Sequence, residues 1–265
     1  MRVGFIGAGN MASALMRGAL ASKQFAPLDI EAYDIDSDKL KALEAELAIG
    51  VTASVFRLIS DCDLIVLAVK PVALPGLFKE IGGALSIKKP PILSIAAGQS
   101  IERLTQLCGC ELPLIRVMPN LNASVGAGVC AYCANSLVTD EIKTLAVTLL
   151  RCSGEAYELE ERLFPAFDAL GGAAPAFCFM FADALARAGV RSGLKRELAY
   201  AVALQVMAGS VKLMKEDAAH PWELVDKVCS PGGITIEGVL SLQGDCFEQS
   251  VAQAIDAVIK KDLTL

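Results

Sequence analysis

Gly7-Ala8-Gly9-Asn10-Met11-Ala12 follows directly on the apolar run RVGFI (2–6) and has the spacing G-x-G-x-x-G/A. Gly7 permits a tight turn, and Gly9 lets a pyrophosphate come close to the backbone. Ala12 is small enough for the next helix to pack on the strand, with its N-terminus facing the phosphates. Alone the pattern is weak; directly after a strand, in a chain that alternates strands and helices, it is specific. The alternative is a glycine turn without a ligand. Asp34, ending the second apolar run, adds to the reading, since a carboxylate there accepts hydrogen bonds from adenosine ribose hydroxyls and repels a 2′-phosphate. The next residues are Ile35, Asp36, Ser37 and Asp38, with no Arg close behind. The pattern therefore favours NADH over NADPH, unless Asp34 or Asp36 only caps the following helix.

A second stretch, Ser230-Pro231-Gly232-Gly233-Ile234-Thr235-Ile236-Glu237, interrupts a region otherwise dense in helix formers. Pro and two Gly stop a helix, and the residues after them start another. Amides converging at such a start attract anions. A plain helix-to-helix turn explains the same residues. The one histidine, His220, stands before Pro221 and reads as a helix start. Nine cysteines include C-x-C at 108–110 and C-x-x-C at 130–133. Neither has a second pair or a nearby histidine, so no metal site is expected, and buried thiols in a reducing cytoplasm fit better.

These residues need elements to hold them. Through about residue 157, strand-length apolar runs alternate with helix-period segments: IEAY (30–33), DLIVLAV (63–69), PILSIAA (91–97) and LPLIRVM (112–118) are the strands after RVGFI. That implies an α/β fold, a doubly wound parallel sheet covered on both faces, over residues 1–157. Arg2 ahead of an apolar stretch resembles a signal peptide, but the same residues make a better strand–turn–helix. Residues 158–265 read as all-helical, with helices at 175–189, 196–216 and 245–261 and with Gly189 and Gly193 marking helix ends. The middle helix is apolar on nearly all sides, which suggests burial between subunits. Hydrophobic residues make up 54% and charged residues 20%, yet no run reaches the ~18–20 consecutive apolar residues of a membrane span. A formal charge of −6 argues against nucleic acid as the main partner.

Taken in order along the chain, the landmarks resemble pyrroline-5-carboxylate reductase. They are GFIGAGNMASALMRG near the start, AVKP (68–71), SIAAG (94–98), RVMPN (116–120), PAF (175–177), FADALARAGVRSGLKRELA (181–199), HPWEL (220–224) and SPGGITIEG (230–238). The resemblance implies reduction of the C=N bond of 1-pyrroline-5-carboxylate by NAD(P)H to give L-proline, the last step of proline biosynthesis. It implies that Ser230 and the amides around Gly232, Gly233, Ile234 and Thr235 receive the substrate carboxylate, and that Thr235 bonds the ring nitrogen as the candidate catalytic residue. Cofactor would lie along Gly7, Gly9, Asn10 and Met11, with Lys70, Pro71, Ala97, Gly98 and Asn120 near its nicotinamide half. A homodimer through the C-terminal helices is implied, and by family analogy a larger ring of dimers.

The chain departs from the family pattern in three places. Gly171-Gly172-Ala173-Ala174 replaces Ser-Gly-Ser-Gly in a turn near the expected site, Leu121-Asn122 replaces Thr-Pro, and Ile234 replaces the first threonine of the SPGG segment. Two other functions stay open: reduction of a related cyclic imino acid, such as a six-membered ring, and a catalytically weak NAD-binding regulator. A dehydrogenase of 3-hydroxy acids would need a catalytic lysine in the helical half, which SPGG gives no reason to expect.

Overall fold

The computed structural model describes residues 1–264; Leu265, the end of the expected 158–265 domain, lies outside them. The chain divides into two compact units, Met1–Gly172 with the chain end from Asp262, and Ala173–Lys261.

In the first unit, β1 (Val3–Ile6), α1 (Asn10–Ala21), β2 (Ile30–Tyr33), α2 (Ser37–Leu47), β3 (Gly50–Val51), α3 (Val55–Asp61), β4 (Leu64–Leu67) and α4 (Leu74–Lys88) follow one another. Then come β5 (Ile92–Ser94), α5 (Ile101–Cys108), β6 (Leu114–Met118), β7 (Gly128–Ala134), α6 (Asp140–Arg151) and β8 (Gly154–Glu158). The strands form one sheet in the order β3-β2-β1-β4-β5-β6-β7-β8. Every residue of β1 and β4 is buried, because both faces of the sheet are covered. Val3, Phe5, Leu64 and Val66 point to a core shared with Leu15, Met16 and Leu149, whereas Ile6, Ile65 and Leu67 meet Leu58, Phe78, Ile81 and Leu104 on the opposite face. Strand alternation thus divides one apolar run between two cores.

The sheet is not wholly parallel, as the apolar strands alone suggested. β7 runs antiparallel to β6, with Val117 opposite Tyr132. Only a short 3₁₀ segment, Leu121–Val125, links the two strands. A parallel return needs a crossover of about a dozen residues or more, so this connection reverses the chain.

After β8 the chain is helical. A four-residue helix, α7 (Phe164–Phe167), leads into a π-helical segment, Asp168–Ala173, where a turn over 171–174 was expected. Nothing there stops the chain, since alanine supports a helix and the two glycines weaken it without blocking it as proline would. Helices α8 (Ala174–Arg191), α9 (Arg196–Glu216), α10 (Pro221–Val228), α11 (Ile234–Gly244) and α12 (Phe247–Asp262) follow. Gly189 lies inside α8 rather than at its end; a Cβ there would come within 3.3 Å of Ala199 Cβ, so this glycine permits close helix packing. In the second unit, α8 and α9 meet through Ala186, Ala199 and Ala203, small residues that let two backbones approach. Phe179, Met180, Leu198, Val202, Leu204, Val206, Leu213 and Leu242 are exposed. The stretches Glu161–Arg191 and Arg196–Glu216 are long and apolar enough to cross a membrane by length and composition.

Candidate functional site

The parallel register brings four loops to one edge of the sheet. Ile6 pairs with Leu67, Leu67 with Ser94, and Ser94 with Arg116, so the segments after β1, β4, β5 and β6 emerge side by side. Strand order reverses between β1 and β4, which opens a crevice at their C-terminal ends. A cavity of about 540 Å³ lies there, lined by Gly7, Gly9, Asp34 and Lys70 among the expected residues.

Gly7 makes the turn. Its φ is 105°, and a Cβ would lie 2.6 Å from the carbonyl oxygen of Ala68. Its N–H donates to Tyr33 O at 2.7 Å. The next amide, of Ala8, donates to Asp34 Oδ2 at 2.7 Å, while Asp34 Oδ1 accepts from Asp36 N–H at 2.9 Å. Asp34 therefore ties the glycine turn to the end of β2 and does not cap a helix. Each oxygen keeps a lone pair for a ligand. The cap of α2 is Asp36, whose Oδ1 accepts from the amides of Asp38 and Lys39. The Lys39 amide first, then the Asp38 amide and the Lys39 ammonium, hold the Asp36 carboxyl below its ordinary range.

Lys39 was absent from the residues singled out by sequence. Its ammonium is 3.4 Å from Asp36 and it lines the same cavity, one helical turn beyond the acid. The signal that finds it is any basic residue in the first turn of α2, not arginine alone. Asn10 and Met11 open α1, whose start at Gly9 carries no side-chain cap.

Ala97 and Gly98 are exposed after β5, on the same edge but outside the cavity lining. Asn120 is buried; its Nδ2 donates to Gly171 O at 2.9 Å and its Oδ1 accepts from Val129 N–H at 3.1 Å. Its side chain thus binds β7 and the π-helical segment together. Beside it, the Asp168 carboxyl fills the space a Cβ on Gly172 would need. Burial first, then the neighbouring Asp262, push its pKa above the ordinary 3.8, with Arg116 opposing. A raised carboxyl contributes stability below its unfolded pKa and loses it as pH rises through the folded value. Asp168→Asn is therefore expected to melt higher than the native protein at about pH 7, with the gap closing as pH falls towards 3.8. Thermal unfolding across that range measures it, and a gap that widens on acidification contradicts the assignment.

The second unit carries the other set. His220 caps α10 through Nδ1, which accepts from the Trp222 amide at 3.3 Å. After α10, Gly233 N–H donates back to Ser230 O at 2.9 Å, with Gly232 at a φ of 67° between them. The Ser230 hydroxyl lies against Gly233. α11 starts at Gly233 without a side-chain cap, so its first amides, with exposed Ser230 and Thr235 nearby in sequence, are open to an anion. Ile234 is 93% exposed. No group of His, Cys, Asp and Glu among the described residues is arranged to hold a metal ion.

A doubly wound sheet with a glycine turn at its switch point, an acid closing the second strand and a helical C-terminal unit defines an NAD(P)-binding oxidoreductase of the Rossmann class. Residues 2–98 match the family model "NADP oxidoreductase coenzyme F420-dependent", and residues 161–265 match "Pyrroline-5-carboxylate reductase dimerisation". A pyrroline-5-carboxylate reductase of Aquifex aeolicus is 40% identical over 98% of this chain and 96% of its own length. The structure of a pyrroline-5-carboxylate reductase from Coxiella burnetii superposes with a TM-score of 0.94 at 28% identity, covering 99% of this chain and 97% of that one. A Plasmodium falciparum pyrroline carboxylate reductase with NADP bound gives a TM-score of 0.86 at 31% identity, with the same coverage. The chain belongs to the pyrroline-5-carboxylate reductase family.

Proposed function

We propose that the protein reduces 1-pyrroline-5-carboxylate to L-proline by hydride transfer from a nicotinamide dinucleotide. The observation that carries the reading is a pair of helix starts. Helices α2, α3, α5, α6 and α10 are capped by Asp36, Ser54, Ser100, Thr139 and His220, and α4, α7, α8 and α9 start at Ala73, Leu163, Ala173 and Lys195 without a cap. α1 and α11 begin at glycines, Gly9 and Gly233, with no side chain in the way. One fits a pyrophosphate and the other a carboxylate. In this reading residues 1–157 bind the dinucleotide and 158–265 supply the dimer and the substrate carboxylate site. Gly7, Gly9, Asn10 and Met11 take the pyrophosphate; Lys70, Pro71, Ala97, Gly98 and Asn120 border the nicotinamide half. The exposed Ile35 and Val72 sit on the lining of the cavity and fit the adenine.

Ser230 and the amides of Gly232, Gly233, Ile234 and Thr235 hold the carboxylate, and Thr235 bonds the ring nitrogen. A protonated imine is already electrophilic, so the site mainly aligns it with the nicotinamide and excludes water. A homodimer covers the exposed apolar faces of α8 and α9, which otherwise have the composition of a membrane helix. Free thiols, with Cys108 and Cys130 pushed by burial to about 12, suit a reducing cytoplasm.

Asp34 disfavours a 2′-phosphate and Lys39 favours one; Asp36 already holds the Lys39 ammonium, so NADH is the preferred donor. Steady-state oxidation of NADH and NADPH with the five-membered imino acid and its six-membered homologue tests all of this. NADH with the five-membered ring should give the higher kcat/KM. Thr235→Ala should lower that kcat/KM by roughly ten- to a hundredfold, the worth of one hydrogen bond to a charged group. No turnover with either ring, despite NADH binding, would instead favour the regulatory alternative.

A further inference from the structure

We propose that Arg116 and Glu161 form a positioning pair that holds the loop after β5 in shape for the nicotinamide end of the dinucleotide. This rests on the cofactor reading above.

The loop leaves β5 at Ser94 and enters α5 at Ile101, and it is fastened at both ends. At the entry, Ser94 Oγ accepts from Ala96 N–H at 3.3 Å. At the exit, Glu161 reaches in from the segment after β8, and its Oε1 accepts from Ile101 N–H at 2.8 Å. That amide is the first of α5, a group with no partner inside its own helix. The same Oε1 receives Arg116 Nη1 at 2.9 Å. Arg116 stands on β6 opposite Ser94, and its guanidinium lies 4.3 Å from the centre of the Phe164 ring, which fixes its plane. The Arg116 side chain is 15% exposed and that of Glu161 34%, so the pair is only partly screened by solvent.

Between the two fastenings, Ala97 and Gly98 stay exposed, with nothing within 4 Å of where a Cβ on Gly98 would stand. A backbone pinned at both ends with an open apex is pre-organised for contact with a ligand. The cavity whose Ile35 and Val72 fit the adenine is lined from the ends of β1 and β2, the segments after β1, β2 and β4, and α4; it extends to Lys70, but none of residues 94–101 lines it. Loosening the exit of this loop therefore acts on one end of the dinucleotide and not on the other.

The test compares NADH with ADP-ribose, which lacks the nicotinamide, on the full-length protein and on Glu161→Ala and Glu161→Gln. Calorimetric titration gives the affinities, and steady-state kinetics give kcat and KM. Glu161→Ala should weaken NADH by roughly tenfold, the scale of one charge-assisted hydrogen bond, and leave ADP-ribose within about twofold. Glu161→Gln keeps a neutral acceptor for the Ile101 amide and should recover most of the loss. A general structural defect weakens both ligands alike, and that result, or unchanged NADH affinity in Glu161→Ala, overturns the proposal. If the native protein binds neither ligand, the cofactor reading itself fails and the positioning role falls with it.

Discussion

Gly7→Ala is expected to abolish dinucleotide binding and to destabilise the fold by about 3 kcal/mol or more. Two costs combine. The φ of 105° is one that a side chain rarely allows, and the new methyl would meet the Ala68 carbonyl oxygen at 2.6 Å and its carbon at 2.8 Å. Both atoms are backbone at the end of the central strand β4, so neither can swing aside. Relief requires the turn to open, and opening pulls the Ala8 amide from Asp34 and misplaces the start of α1. Gly9→Ala is the matched control, because nothing lies within 4 Å of its would-be Cβ. That variant should unfold like the native protein and lose NADH only because the methyl occupies the approach of the pyrophosphate. Thermal unfolding with and without NADH separates the two, and a Gly7→Ala protein that still binds NADH at native affinity would refute the account of the turn.

Gly154→Ala should be the most destructive single methyl in the first unit. Gly154 pairs with Gly128 across β8 and β7, at a φ of 145°. A Cβ there would fall 1.9 Å from Gly128 O and 2.5 Å from its carbonyl carbon. The ladder cannot absorb such an overlap, and the loss should exceed roughly 4 kcal/mol, enough to unfold many domains of ordinary stability. Val129, next to Gly128, supplies the amide that holds Asn120, so whatever folds should also have a disordered rim at the end of β6. Soluble protein with a native melting temperature would contradict this. Circular dichroism during heating is the direct measurement.

Most of the sheet was legible because burial on two faces forces continuous apolar strands, and glycine at a strand end admits few other uses. The start of α1 at Asn10 follows from the spacing Gly7, Gly9, Ala12. The reversal at β7 was not legible. Its sequence GVCAYCA is poor in Val and Ile, and strand direction depends on connection length rather than on strand residues. The π-helical segment was hidden because Gly-Gly-Ala-Ala reads equally well as a turn. Asp34 was read for its ligand-facing lone pairs, but sequence cannot show that the Ala8 amide also uses it. Glu161 escaped for a similar reason. Its partners Ile101 and Arg116 are remote in the chain, so no local pattern marks it. The SPGG segment was conspicuous because four helix-breaking or capping residues stand together in helical surroundings.

The sheet ends also bear on how copies of this chain avoid joining in the wrong way. One outermost strand, β3, is two residues long, too short to template a further strand. The other, β8, presents exposed Glu155 and Glu158 among its five residues. Charged side chains on a sheet border discourage a second sheet from adding to it, and Glu158 holds the Lys143 ammonium there as an ion pair. With both borders blunted, the exposed apolar faces of α8 and α9 remain as surface that another copy could cover. A variant that removes those two glutamates is therefore expected to aggregate more readily than the native protein.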